Sequence, residues 1–342
     1  MYSITAALFL VATVASGQEF SVLARGGVCD GVTDIGPVLQ QIMQKAVSGS
    51  KIIFPAGVCV TSVPLVLGDG TPYSVSTRQH FTVIGAGMGH GPAEAFPVSS
   101  GTKIVYTGFG GAVIDIRGPM SGVEISSLSI DANARADYGI RLEHTYHSSV
   151  RRVTITQPRV GGLLLEGTTS PMFGLAIGAG SNVIEEVAVT GDVYGSSGFI
   201  IGADNLRAAT SQNYLKRCGV LGCTNGFLLR FADYLKMEMC QAMYSLRPMY
   251  FQPPTIPGGT FVPPHSRTMF PANVLCDSCF FSSPPTWAQE WNPGNGVELR
   301  SYLTEWNGYN SADSNNFGPL FPKHPAIWGN DSNGFVYPRG RR

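Results

Sequence analysis

Charge is scarce in this chain. Asp, Glu, Lys and Arg make up 13% of the 342 residues, about half the ~25% of an ordinary soluble domain. The few charges also cancel, with 23 basic against 23 acidic side chains. A neutral chain has no global field to gather DNA or RNA, so no nucleic acid is expected as a partner. Long apolar runs are missing too. The longest, Ala6 to Ala15, is too short to cross a bilayer as a helix, and no membrane partner is expected. Ala15-Ser16-Gly17 supplies small residues of the kind that precede signal cleavage. Residues 1–17 therefore read as a secretory signal, although no Lys or Arg precedes the run. An N-terminal strand that caps or oligomerises the domain is the alternative.

Cysteine spacing of the zinc-binding kind is also absent. Of the seven cysteines, Cys276-x-x-Cys279 has no second pair and no histidine at ligand spacing, which argues against a metal site. On one strand these two would lie on opposite faces, as buried thiols or in a bridge. Cys29 and Cys59 sit at matching ends of the first two strands, either bridged or free.

Glycine and proline, by contrast, are plentiful, at 42 and 23 residues. With short apolar runs between them, they indicate an all-β chain with many turns. One helix interrupts this pattern. Leu39, Ile42, Met43 and Ala46 form an apolar stripe at i, i+3, i+4, i+7, and Asp34 is a fitting N-cap before it. Beyond residue 80 the chain runs through short strands such as "AVIDIRG", "VEISSLSID", "YGIRLEH", "VRRVTIT" and "GGLLLEG".

Those strands repeat. Gly139-Ile140-Arg141-Leu142-Glu143 returns as Gly162-Leu163-Leu164-Leu165-Glu166, each following a β-run, "LSID" and then "VTIT". "VAVT…SGFIIG" and "GVLG…NGFLLR" continue the series. Fixed-period self-similarity of short strands marks a β-solenoid, whose turns must stack to bury their apolar sides. On this reading the glycine makes a corner. Ile140, Leu142, Leu163 and Leu165 point inward, and Arg141, Glu143, Leu164 and Glu166 point outward. Glu143 and Glu166 then occupy neighbouring rungs, about 4.8 Å apart. The same register leads to Gly202 and Arg230, with Asp204 and Asp233 expected to stack a little further along. Leu164, Ile200 and Leu228 form an outward apolar stripe, which either makes an interface, as in a homotrimer, or lies under residues 168–181.

The stretch "FSVLARGGVCDGVTDIGPVLQQIM…KIIFPAGVCVTS" resembles the opening of the pectate-lyase superfamily of right-handed parallel β-helices. In that family a strand, a Gly-Asp-Gly-x-x-Asp turn, a capping helix and a strand ending Phe-Pro-x-Gly-x-Tyr follow one another. Cys29 to Asp34 fills the turn here, and Phe54 to Cys59 fills the strand end. The resemblance covers about residues 20–240. It implies an all-β right-handed parallel β-helix with an N-terminal capping helix. "ANVLCDSCFF" and "NGVELRS" read as one more rung, which carries this single domain over residues 18–305, and the tail reads as an irregular aromatic and Pro-rich cap over 306–342. Pectin-cleaving enzymes, rhamnogalacturonases, glucanases and phage tailspikes all share this opening, so it does not fix the chemistry. The Asn-Thr-Asp, Asp-Asp and Arg-Ile-Lys motifs of polygalacturonases are missing, and Gly89-His90-Gly91 falls in an early turn rather than on a mid-helix strand.

Polysaccharide cleavage needs an acid and a base or nucleophile. Two close carboxylates serve, because their repulsion keeps one protonated. Glu143 with Glu166, and Asp204 with Asp233, are the candidate catalytic pairs. Arg230 is placed to bind a sugar carboxylate, or to act as the base of a β-elimination. His144 and His147, in the turn after Glu143, are placed to shuttle protons, and His144 also to touch substrate. All four tryptophans lie in the last hundred residues, and Trp287 and Trp291 suit stacking on sugar rings. Outward charges on a solenoid face are otherwise simply solvated, and tryptophans there can close the open end of the coil. No cofactor is expected. Calcium between stacked carboxylates, as in some pectate lyases, is the alternative.

The expected function is an extracellular polysaccharide-cleaving enzyme, hydrolase or lyase, with a glycan along the parallel-sheet groove. A non-catalytic β-helix that grips a glycan or builds a phage tail or adhesin is the alternative.

Overall fold

Along Ser149–Thr156, Val150, Val153 and Ile155 are buried while Arg151 and Arg152 are exposed. That alternation, repeated from strand to strand, wraps the chain around a continuous apolar core. The computed structural model describes residues 17–68, 80–88, 101–169, 176–177, 179–191, 195–202, 210–230, 232–245, 247–251, 274–283, 297–300 and 303–306. Residues 1–16 and 307–342, with most of the proposed leader and C-terminal cap, lie outside them, as does Gly89-His90-Gly91.

The chain is an all-β, right-handed parallel β-helix. Among the described residues its strands form a 17-stranded sheet, a 10-stranded sheet and a small antiparallel pair, Thr168–Thr169 with Ala176–Ile177, and like strands of successive coils pair in parallel register. The 10-stranded sheet stacks Leu65–Leu67, Ala112–Ser121, Tyr138–Tyr146, Gly161–Glu166, Ser197–Ile201, Asn225–Leu229 and Arg247–Phe251 in that order. The larger sheet runs as far as Leu303–Trp306. Inside, Phe199 and Phe227 stack on adjacent rungs, ring centroids 5.1 Å apart.

Corners come from non-glycine residues in the left-handed region. Ser127, Arg152, Glu186, Arg217, Met239 and Ser278 all have φ between 51° and 58°. Such a residue bends the strand, and the next side chain points inward again: Leu128, Val153, Val187, Cys218, Cys240 and Cys279 are all buried. A second corner, at His147, Ser181 and Gln212, is followed by buried Ser148, Asn182 and Asn213. The Asn182 amide group donates to the Thr145 carbonyl at 3.0 Å and to Asn213 Oδ1 at 3.1 Å, and its own Oδ1 accepts from the Ser148 backbone at 3.1 Å. This ladder satisfies backbone groups that a corner would otherwise leave unpaired inside the coil.

The repeated glycine is not a corner. Gly139, Gly162, Gly198 and Gly226 occupy equivalent positions within their strands, and none has positive φ. A β-carbon there would run into Ile155, Val189, Val220 and Ala242 respectively, side chains of the larger sheet across the core. Glycine recurs because the two sheets approach too closely for anything larger.

At the N-terminal end the helix spans Gly36–Lys45 and buries Leu39 and Ile42. It starts a residue later than the capping pattern suggests, with Ile35 at the N-cap, because Asp34 is shared between the Gly36 N–H at 2.8 Å and the Ser62 N–H at 3.1 Å. Cys29 and Cys59 are bridged. Cys276 and Cys279 do not lie on opposite faces. A left-handed corner at Ser278 separates them and turns both into the core.

Candidate active site

The outer face of the 10-stranded sheet carries two adjacent columns. In one, Asp115 pairs in register with Arg141, Arg141 with Leu164, and Leu164 with Ile200, followed by Leu228 and Tyr250. In the other, Arg117 pairs with Glu143 and Glu143 with Glu166. Glu143 and Glu166 thus sit on neighbouring rungs, as the repeat predicts. The Gly202 N–H donates to the Leu165 carbonyl and the Arg230 N–H to the Ile201 carbonyl, so the column continues through Gly202 to Arg230.

Asp115 anchors the lower end. It is almost fully buried and accepts from Arg141 Nε at 2.7 Å and Nη2 at 3.1 Å, while Arg117 binds the same carboxylate at 2.7 Å. The two-point contact fixes the plane of the Arg141 guanidinium. Arg141 Nη2 also stands 3.6 Å from Glu143 Oε2. Among the described residues no ion pair reaches Glu166. Burial and the neighbouring charge of Glu143 push its carboxyl up to about 7, against the opposing influence of Arg141 and Arg230. One member of the pair therefore keeps its proton close to neutral pH, which suits proton donation.

An apolar stripe fills the neighbouring column. Leu164, Ile200 and Leu228 point outward but are 3%, 1% and 4% exposed, with Tyr138 and Tyr250 packed against them. They form a second small core on the outside of the sheet, within the single chain. Tyr138 belongs to both groups: burial raises its hydroxyl pKa first and the Glu166 charge second.

The other predicted residues divide. His144 follows Glu143 but is buried, and burial alone pushes it down to about 4. A histidine held neutral in this way does not shuttle protons near pH 7. Its Nδ1 has no partner among the described residues. His147 is exposed at a corner. Asp233 registers with Ser211, not with Asp204. Seven residues separate Gly202 from Thr210 but one separates Arg230 from Ala232, so counting along the chain from Gly202 and Arg230 does not preserve register. Asp204, Trp287 and Trp291 lie outside the described residues. Among the described residues no group of three or more His, Cys, Asp or Glu side chains is arranged to hold a metal ion. Sequence reasoning missed Asp115 and Arg117. "AVIDIRG" is the same phrase one coil earlier, and aligning it would have placed both in the columns.

Comparison with known proteins supports the same architecture. The chain is similar in structure to the N-terminal fragment of bacteriophage phi29 gene product 12 (TM-score 0.54, 14% identity, covering 84% of this chain and 53% of that one). It is similar to an iota-carrageenase complexed to iota-carrageenan fragments (TM-score 0.53, 10% identity, 88% and 61% covered). It is also similar to PfbA, a surface adhesin of Streptococcus pneumoniae (TM-score 0.50, 9% identity, 92% and 82% covered). These likenesses show the fold alone. The chain spans about half the length of the phage fragment. No family model and no curated protein sequence matches.

Proposed function

We propose that this β-helix cleaves a polysaccharide laid across the outer face of the 10-stranded sheet, by hydrolysis with retention of configuration. Glu166 is the general acid and Glu143 the nucleophile or charge-stabilising carboxylate. The observation that carries this reading is the stacked Glu143–Glu166 pair, in which burial and the Glu143 charge push the Glu166 carboxyl up to about 7. A rung spacing of about 4.8 Å matches the short separation, about 5–5.5 Å, of retaining glycosidases. Asp115 positions Arg141 beside the pair, and Arg230 stands on the same column to bind an anionic sugar group. The carrageenase among the similar structures accords with this reading.

The protein is extracellular or displayed on a particle in this account. The alternative is a glycan-gripping β-helix without chemistry, like an adhesin or a phage component. The internal satisfaction of Asp115 by two arginines favours it, since that cluster needs no ligand to be stable.

The test is a panel of plant, algal and bacterial polysaccharides, read for new reducing ends and for unsaturated products, with the anomeric configuration followed by NMR. Glu166→Gln and Glu143→Gln are expected to lower kcat by about 10²–10⁴ without unfolding the protein. Unsaturated ends or inversion would contradict the mechanism. Tight binding without any product would favour the gripping protein.

A further inference from the structure

Four of the seven cysteines meet inside the later coils. Cys218, Cys240 and Cys279 each follow a left-handed corner residue, Arg217, Met239 and Ser278. Register on both sides of that corner stacks them on three consecutive rungs: Lys216 with Glu238 with Asp277 before it, and Gly219 with Gln241 with Phe280 after it. Each thiol donates to the carbonyl two residues back, at 3.6 Å for Cys218 and 3.5 Å for Cys240 and Cys279. Cys240 therefore lies between Cys218 and Cys279 on neighbouring rungs, and Cys276 is turned into the core across the Ser278 corner from Cys279. Cys276 in turn lies 3.7 Å from Met237 Sδ. All four are buried and reduced in this structure.

These placements give the order 218–240–279–276, and four thiols in that order can be fully paired between neighbours in only one way. We propose that these residues are a disulfide-forming site, with bonds Cys218–Cys240 and Cys276–Cys279. For Cys218–Cys240, neighbouring parallel rungs hold Cα atoms about 4.8 Å apart, inside the ~4.4–6.8 Å that a disulfide spans; Cys276 and Cys279 both face the core on either side of the Ser278 corner. The middle pairing, Cys240–Cys279, would leave Cys218 and Cys276 without a partner. Cys223 stays a free thiol; the Ser196 hydroxyl lies 3.9 Å from its sulfur. The first bond ties two consecutive coils together. The second fixes the corner reached after residues 252–273, where the next coil begins. The bridge at Cys29 and Cys59 calls for the same oxidising conditions.

Each bond forms from two thiols by exchange with a low-molecular-weight disulfide. Two electrons and two protons pass to that disulfide, which leaves as two small thiols. Burial keeps the oxidant out of the folded coil, so the exchange belongs to the folding chain.

The experiment refolds the full reduced chain in a glutathione redox buffer, alkylates remaining thiols in denaturant and maps linked peptides by mass spectrometry. Protein isolated without reductant is mapped in parallel, so that a failure to refold does not decide the result. The expected map has three links, Cys29–Cys59, Cys218–Cys240 and Cys276–Cys279, with Cys223 alone alkylated. A Cys240–Cys279 link overturns the proposal, as does native protein with all five cysteines outside Cys29–Cys59 alkylated. Cys276→Ser with Cys279→Ser is expected to keep the Cys218–Cys240 link, and its loss in a folded variant would equally overturn the pairing.

Discussion

Two side chains separate the chemistry of this site from its scaffold, and pH tells them apart. Glu166 is ionised above about 4.5 in the unfolded chain but keeps its proton to about 7 when folded. The folded state binds more protons across that window, so stability falls as pH rises through it. Glu166→Gln is expected to flatten this slope and to stabilise the protein above about pH 8, by a few kcal/mol at most. Thermal melts across the pH range check it. His144 acts in the opposite sense. Burial depresses it to about 4 from an ordinary 6.5, so the unfolded chain takes up its proton first, and the stability present above about 6.5 is lost as pH falls towards 4. A variant with an uncharged ring at position 144 is expected to lose that acid sensitivity while keeping the Glu166 slope.

At the scale of strands and corners, close approach governs the sequence. The glycine column exists because Val189 and Val220 lie where β-carbons of Gly162 and Gly198 would fall. Gly162→Ala is therefore expected to destabilise by about 1–3 kcal/mol, as overpacking does, and denaturant unfolding measures it. An unchanged midpoint would refute the steric reason. The recurrence of this glycine was plain in the sequence, and so was the register of Glu143 on Glu166, because period-2 alternation and a repeated phrase fix both. The cause of the glycine was not legible, since it depends on the opposite sheet. Nor was the corner between Cys276 and Cys279: Ser278 carries no sequence mark of a left-handed residue. Asp233 was misplaced for a related reason, because unequal loops shift register in a way that residue counting does not capture.

At the scale of the whole molecule, the outer apolar stripe bears on assembly. Leu164, Ile200 and Leu228 are already buried within one chain, so they do not require a partner subunit to cover them. Ile200→Asp is expected to lower the melting temperature equally at all protein concentrations. A loss that depends on concentration would instead place the stripe at an interface. The coil architecture was readable from the repeat and from the resemblance that opens at about residue 20, but a β-helix does not fix the chemistry, and the proposed catalysis rests on the carboxylate pair. Its proton is the central claim. Titration of ¹³C-labelled glutamate carboxyls by NMR, with the Glu166 signal assigned through Glu166→Gln, tests it directly. The account predicts a midpoint of about 7 for Glu166, and a midpoint near the ordinary 4.5 would contradict it.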